Sequence, residues 1–360
     1  MNIVFLVPWL RLGGYEKVVV NYANAFSELG HNITILCGFK DEKYAKQISP
    51  RVKIVEFKTR FRNFIVPLTI YLKKNSNIDI LYAPFHSYTC LAVMAKKVSG
   101  SKAVIYSAEH GFEKKGNFIE QSIVRYFIKK ADVLIAVSNE VAAYDANQFR
   151  IDSRVYYVFD NPVYNSHECV PIVKDTWIES RRGSILVTVG RLAKDKHIEI
   201  PIKILSEVAK SRDVSLLILG DGEEREQLQI LCENLEIADK VHFKGTVANP
   251  ISYLKKCDIY LHTSEIESFG NGVIEAQYCN LPAIVTDCGG PVKLIEKNKY
   301  GINIGKYNST DVIKNGVNAV LKILDGEVKF GDFSYKARKY DAINLEEQFL
   351  EPYYECIKKN

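Results

Sequence analysis

Short apolar runs alternate with amphipathic stretches from one end of the chain to the other. Asn2–Val7 reads as a strand, and Tyr15–Leu29, closed by Gly30, has the spacing of a helix. Further strands are expected at Asn32–Cys37, Val52–Phe57, Asp79–Ala83, Ala103–Ser107 and Asp132–Val137, with helical patterns at 87–98, 117–130 and 138–148. Strands that are apolar throughout, each followed by a helix, predict a parallel sheet covered on both faces. The pattern breaks at Asp160-Asn161-Pro162 and stays polar until Ser184. A second set then begins, with strands at Ser184–Val189, Val214–Leu219, Val241–Phe243, Asp258–His262, Ala283–Val285 and Gly301–Ile304. The tail from Asn344 to Lys359 is amphipathic and helical, beyond what the second sheet needs. The expectation is an α/β chain of two Rossmann-like, doubly wound domains. The first spans 1–163, the second 164–343, and a helix over 344–360 packs back on the first. Ligands of such sheets bind at the carboxyl ends of the strands, so a cleft between the two domains is expected to hold the site.

Length agrees with two domains, since 360 residues exceed the roughly 250–300 that one core supports. A hydrophobic fraction of 47% with 25% charged residues excludes a disordered or fibrous chain. Runs such as Val133–Val137 fall far short of the ~20 apolar residues of a membrane span. The apolar start breaks at Pro8 and lacks a basic region, unlike a signal peptide. Eight scattered cysteines without a Cys-x-x-Cys pair suggest free thiols in a reducing compartment, hence a cytoplasmic location, and no structural zinc. Charge is uneven. Residues 1–163 carry 22 Lys and Arg against 14 Asp and Glu, a net +8, and the remainder carries −3. A basic first half suggests anionic contacts there.

Several constellations follow strand ends. Glu267-Ser-Phe269-Gly270-Asn271-Gly-Val-Ile-Glu275 places two carboxylates around a glycine turn that opens a helix, where free N–H groups favour an anion. One carboxylate suits the hydroxyls of a sugar and the other those of a ribose; the same spacing also suits a helix cap and a solvated side chain. Arg191 and Lys196 follow the first strand of the second domain, a usual place for phosphate binding, with a planar fork and a movable point charge. Gly13-Gly14 opens the first helix, without the spacing of a nicotinamide or ATP loop. His110, in Glu109-His110-Gly111, ends the fifth strand, and His86 at a similar strand end is its rival. Gly220-Asp-Gly222 and Gly245-Thr-Val247 follow strands and could present backbone groups to a base. No Asp-x-Asp occurs, so fixed cations and helix termini, not a metal, are expected to neutralise a diphosphate.

Taken together, these residues resemble glycosyltransferase family 4, the retaining group 1 transferases with the GT-B fold, over nearly the whole chain. Gly13-Gly14-Tyr-Glu-Lys17 resembles the family's Gly-Gly-x-Glu-Arg, Gly190-Arg191…Lys196 its phosphate clamp, Gly220-Asp-Gly-Glu223 its Gly-Asp-Gly turn, and Glu267 to Glu275 its paired-glutamate motif. The resemblance implies that Arg191 and Lys196 hold the donor diphosphate, Glu275 the ribose and Glu267 the transferred sugar. It implies further that backbone N–H groups of Phe269, Gly270, Asn271 and Gly14 approach sugar and phosphate, that His110 approaches the sugar and that Val247 lies beside the base. Two departures stand out: Lys196-His197 replaces the family's Lys-Gly, and Asn280 stands where a glycine is usual. Asn can take the left-handed conformation, so the fold is expected to survive.

The implied function is transfer of a hexosyl or N-acetylhexosaminyl group from a nucleotide-sugar, with no cofactor, to a glycan or lipid-linked acceptor in surface polysaccharide synthesis. Frequency in the family favours a UDP-sugar over GDP-mannose. Within 60–74, Phe61, Phe64, Ile65, Leu68, Tyr71 and Leu72 fall at helical spacing between Arg60, Arg62, Lys73 and Lys74. This is either a helix covering the first sheet or a surface meeting an anionic membrane at its inner face. Its aromatics are too few for nucleic acid. A nucleotide-sugar epimerase or hydrolase of the same fold, for which only Glu109 and Glu113 offer first-domain carboxylates, and a non-catalytic membrane-surface protein remain as alternatives.

Overall fold

The computed structural model describes all residues except 61–62, 113–115 and 360, and the side chains at 43, 118 and 359 are also not described. Phe61, Arg62 and Glu113 therefore lie outside the described residues. The chain forms two compact units, Met1–His167 with Tyr340–Asn360, and Glu168–Lys339.

The first unit holds a seven-stranded parallel sheet: β1 (Asn2–Leu10), β2 (Asn32–Lys40), β3 (Lys53–Glu56), β4 (Ile80–Pro84), β5 (Val104–Glu109), β6 (Val133–Ala136) and β7 (Tyr156–Val158). Their order is β3-β2-β1-β4-β5-β6-β7. The chain runs outward from β1 on one side, then returns to its other side through β4, so helices cover both faces. One face is packed by Gly14–Glu28 and by the C-terminal helix Glu346–Lys359. Phe349 of the latter is fully buried, with ring centroids 5.0 Å from Phe26, 5.1 Å from Tyr22 and 5.4 Å from Tyr106. The Tyr106 hydroxyl donates to its carbonyl at 2.9 Å.

The other face is packed by Ile65–Lys74 and Phe85–Ser99, with Phe118–Ile128 beside them. Of the two readings of 60–74, the structure supports a helix that covers the first sheet. Phe64, Leu68 and Leu72 point inward and are buried, Phe64 between Phe57 and Tyr88, because their i, i+4, i+8 spacing makes one stripe toward the sheet. Only Val66 and Ile70 of this helix's apolar side chains stand out in solvent. Pro67 falls in the first turn, where its missing N–H costs nothing.

The segment after Pro162 is polar in composition yet buried over 161–165. The Asn21 side-chain amide donates to the Pro162 carbonyl at 2.9 Å, and Val163 N–H and Ala342 N–H bond the carbonyls of Tyr340 and Tyr164.

The second unit holds six parallel strands, β8 (Ser184–Val189), β9 (Val214–Leu219), β10 (Val241–Gly245), β11 (Ile259–His262), β12 (Ala283–Val285) and β13 (Gly301–Asn303), in the order β10-β9-β8-β11-β12-β13. Its core is almost wholly aliphatic, built on Leu186, Leu216, Ile218, Ile259 and Leu261. All eight cysteines are free thiols, and no helix among the described residues is long and apolar enough to cross a membrane.

Candidate functional site

In the second unit, three loops leave the carboxyl ends of neighbouring strands. The loop after β8 carries Arg191 and Lys196, the loop after β9 carries Gly220, and the segment after β11 carries Glu267. The first two are locked by backbone contact. Gly220 has φ +148°, and a Cβ there would lie 1.7 Å from the Gly190 carbonyl, so glycine is required. Gly220 N–H also donates to the Gly245 carbonyl, bringing the loop that holds Val247 alongside.

The loop after β8 is tied to the segment after β11 as well. The Thr263 hydroxyl reaches the carbonyls of Lys196 at 3.1 Å and His197 at 3.0 Å, and Glu265 N–H donates to the Asp195 carbonyl. These bonds bring Lys196 Nζ to 2.9 Å from Glu267 Oε2, both partly buried. Arg191 stays largely exposed, within 3.4 Å of Asp195 and 3.7 Å of Glu223. Exposed pairs of this kind hold a side chain loosely and leave it available to an incoming anion.

His197, the departure from the family's glycine, takes φ +47°, the conformation a glycine would supply. Its ring stacks on Tyr307 at 4.2 Å and Nδ1 lies 2.8 Å from Glu199. Asn280 likewise adopts φ +61°, so the helix Asn271–Tyr278 terminates as a glycine would end it.

At the start of that helix Gly270 has φ +100° and the first N–H groups are free of side-chain caps. Glu275, one turn in, is buried. Phe269 is buried too, its backbone held against Gly290, where a Cβ would lie 2.4 Å from the Phe269 carbonyl. A residue that the sequence reading passed over stands here. His262 ends β11, 3.8 Å from Glu267, with the Tyr260 hydroxyl 3.3 Å from its Nδ1. Burial pulls it down to about 4, so its ring is neutral at physiological pH. The signal was available, because His262 ends a predicted strand just as His110 does.

In the first unit Gly13 precedes the helix Gly14–Glu28, and Glu16 folds back over it, so a Cβ on Gly13 would meet that carboxylate at 2.2 Å. Gly14 faces open space. Tyr15 beside it packs edge-on to His110 with centroids 4.8 Å apart, and the Tyr82 hydroxyl lies 3.0 Å from His110 Nε2. His110 therefore joins the helix start. Burial lowers its pKa to about 4, against an opposing pull from Glu109.

His86 does not compete for that role. It is 2% exposed and bridged between two fully buried carboxylates, Nδ1 2.6 Å from Glu109 and Nε2 2.6 Å from Asp145, with Phe149 against its ring. Among the described residues these three alone gather enough ligand atoms to suggest a metal. Their geometry does not fit one: each carboxylate sits at hydrogen-bond distance from a different ring nitrogen, on opposite edges of the imidazole, and the two nitrogens point away from each other, so no single ion can take both carboxylates and the ring. Burial would lower the His86 pKa, but the two carboxylates outweigh it and raise it. The trio thus sets His86 between two carboxylates that favour its protonated form.

Two family models divide the chain between them. Residues 12–164 match Glycosyltransferase Family 4, and residues 176–339 match Glycosyl transferases group 1. The chain belongs to the group 1 glycosyltransferases. Within this family it is 26% identical over 297 residues to N-acetyl-alpha-D-glucosaminyl L-malate synthase of Bacillus anthracis, covering 79% of the chain and 77% of the relative. It is 22% identical over 373 residues to the phosphatidylinositol N-acetylglucosaminyltransferase GPI3 subunit of Saccharomyces cerevisiae, covering 98% and 82%. The crystal structure of Anabaena HepE in complex with UDP superposes with a TM-score of 0.78 at 17% identity, over 99% of this chain and all of that one. The two sheets are thus those of a GT-B glycosyltransferase.

Proposed function

We propose that this group 1 glycosyltransferase moves a sugar from a UDP-linked donor, with retention at the anomeric carbon, to a glycan or lipid-linked acceptor. An N-acetylhexosaminyl group is the favoured cargo, since the Bacillus and yeast relatives are named for N-acetylglucosaminyl transfer. UDP is favoured because HepE, of the same fold, binds it. The observation that carries the reading is Lys196 held 2.9 Å from Glu267 beside the uncapped start of the helix Asn271–Tyr278. A cation, a carboxylate and the N–H groups of a helix start together match a sugar diphosphate: hydroxyls for the carboxylate, phosphate oxygens for the rest.

In this reading Arg191 and Lys196 neutralise the charge that builds on the departing diphosphate as the glycosidic bond breaks with oxocarbenium character. Glu267 holds the sugar's hydroxyls and Glu275 the ribose's. Backbone groups at Gly220, Phe269, Gly270 and Asn271 take phosphate and sugar oxygens, and Val247 lies by the base. From the first unit, Gly13 and Gly14 offer the helix start to phosphate. His110, kept neutral by burial beside the Tyr82 hydroxyl, is the first unit's candidate to approach the sugar. The acceptor hydroxyl attacks from the departing side, its proton passing to the leaving phosphate. Fixed cations do the work of a divalent ion.

The test is nucleoside diphosphate release from UDP-N-acetylhexosamines, UDP-hexoses and GDP-mannose, with a lipid-diphosphate-linked glycan as acceptor and the product's anomer read by NMR. Acceptor-dependent UDP release, an unchanged anomeric configuration and indifference to EDTA are expected. Lys196→Ala is expected to lower kcat/KM by ~10²-fold, the usual cost of one charge-stabilising group. Release of GDP alone, or an inverted product, refutes the donor or the stereochemistry respectively.

A further inference from the structure

The helix Phe118–Ile128 is built the wrong way round for a helix that only covers a sheet. Ile119 is 69% exposed, Ile123 52% and Tyr126 56%, and of the helix's described side chains only Ile128 is buried. At 100° per residue, positions 119, 123 and 126 fall within about 60° of one another, so they form one stripe, and Lys130 continues it just past the helix end. Lys130 Nζ lies 4.8 Å from the Tyr126 ring. Phe127, on the flank, packs on the core beneath and anchors the helix, leaving the stripe outward.

Local chemistry explains why the helix survives with its apolar face in water. Asn117 accepts from the N–H groups of Ile119 and Glu120, and Glu120 returns a bond to Asn117 N–H, a complete capping box. That bond turns Glu120, the single acid between residues 114 and 130, toward the helix start. Against it the same stretch carries Lys114, Lys115, Arg125, Lys129 and Lys130.

We propose that this stripe docks the first unit on an anionic phospholipid surface, with Ile119, Ile123 and Tyr126 entering the headgroup boundary and the exposed Lys129 and Lys130 meeting the phosphates. Charge chooses this occupant. A second copy brought face to face would set the same cations against one another, whereas anionic headgroups neutralise them. Long Lys stems reach the phosphates while the apolar side chains sink below. The first unit, residues 1–167 with 340–360, carries 24 Lys and Arg against 19 Asp and Glu, and this net +5 adds a longer-range attraction of the same sign. The proposal stands apart from the transferase reading, because docking needs neither donor nor acceptor.

Sedimentation with vesicles of phosphatidylcholine alone, and of phosphatidylcholine mixed with phosphatidylglycerol, tests it on the full chain. The wild-type protein is expected to pellet with the mixed vesicles and to be released by high salt. The triple variant Ile119→Ser, Ile123→Ser, Tyr126→Ser is expected to bind at least ~10-fold more weakly. Its melting temperature should stay unchanged, since the three side chains are solvent-facing. Val66→Ser with Ile70→Ser, on the helix Ile65–Lys74, is expected to bind like wild type. Vesicle binding that survives the triple variant, or is lost only with the Val66 and Ile70 changes, overturns the assignment. So does a wild-type dimer in sedimentation velocity that the triple variant abolishes.

Discussion

The arrangement around His86 makes a single residue responsible for two buried charges. Glu109 ends β5, Asp145 lies on the helix Asn139–Phe149, and both carboxylates are fully buried with His86 between them. The Tyr156 hydroxyl adds a weak bond to Asp145 at 3.4 Å. Removing the cation strands both carboxylates, and breaking a buried pair in this way costs about 3–5 kcal/mol. His86→Gln, close in size and uncharged, is therefore expected to lower the unfolding free energy by about that amount in urea titrations near pH 6. The sign of the pH dependence follows from the raised pKa. The imidazolium's contribution is fully present below the unfolded value near 6.5 and fades as pH rises through the folded value. The gap between wild type and variant should narrow on the alkaline side. A gap that is under 1 kcal/mol near pH 6, or that widens as pH rises, refutes the imidazolium. None of this trio could be assembled from the sequence, which showed a histidine at a strand end. Its partners, 23 and 59 positions away, become partners only through β5 and a later helix.

At the level of elements, most of the architecture was legible because buried parallel strands write themselves as uninterrupted apolar runs. Ser184–Val189, Val214–Leu219 and Ala283–Val285 match their predicted bounds. β7 escaped because Tyr156–Val158 is a three-residue edge strand, with Val158 exposed and a polar stretch after it. The site-bearing loops were legible in part, since glycines at Gly220 and Gly270 mark backbone that no other residue adopts freely. The ties from Thr263 to the loop of Lys196 were not, because a threonine in a loop carries no sign of its partner. The helix Asn271–Tyr278 offers a clean test of the glycine substitute at its end. Asn280 holds φ +61° at little cost, through its short polar side chain. Asn280→Ala should destabilise by about 1 kcal/mol and Asn280→Gly should be neutral or slightly stabilising. Thermal unfolding of the three chains reads this order, and an alanine variant as stable as wild type would refute it.

For the whole molecule, the C-terminal helix breaks the correspondence between sequence order and folding unit. Phe349 sits in the core of the first unit, within 6.2 Å of six aromatic rings from residues 5 to 159, and the segment Tyr340–Ala342 pairs with 163–164. Residues 1–167 alone would leave that aromatic face open to water. Losing Phe349 alone compares with a buried Phe→Ala change, worth about 3–5 kcal/mol, and Leu345, Leu350 and the Tyr106 bond go with it. A domain's margin is of the order of 5–15 kcal/mol, so the loss consumes most of it. Residues 168–339 lose nothing comparable, because their aliphatic core draws on no residue beyond 324. A chain ending at Lys339 is therefore expected to keep one cooperative calorimetric transition, from the second unit, while the first becomes a loosely packed state that binds ANS. Adding residues 340–360 as a separate peptide should suppress the dye signal. A truncated chain with two sharp transitions would mean that the aromatic face closes without Phe349, and that the last helix is ornament to a core already complete.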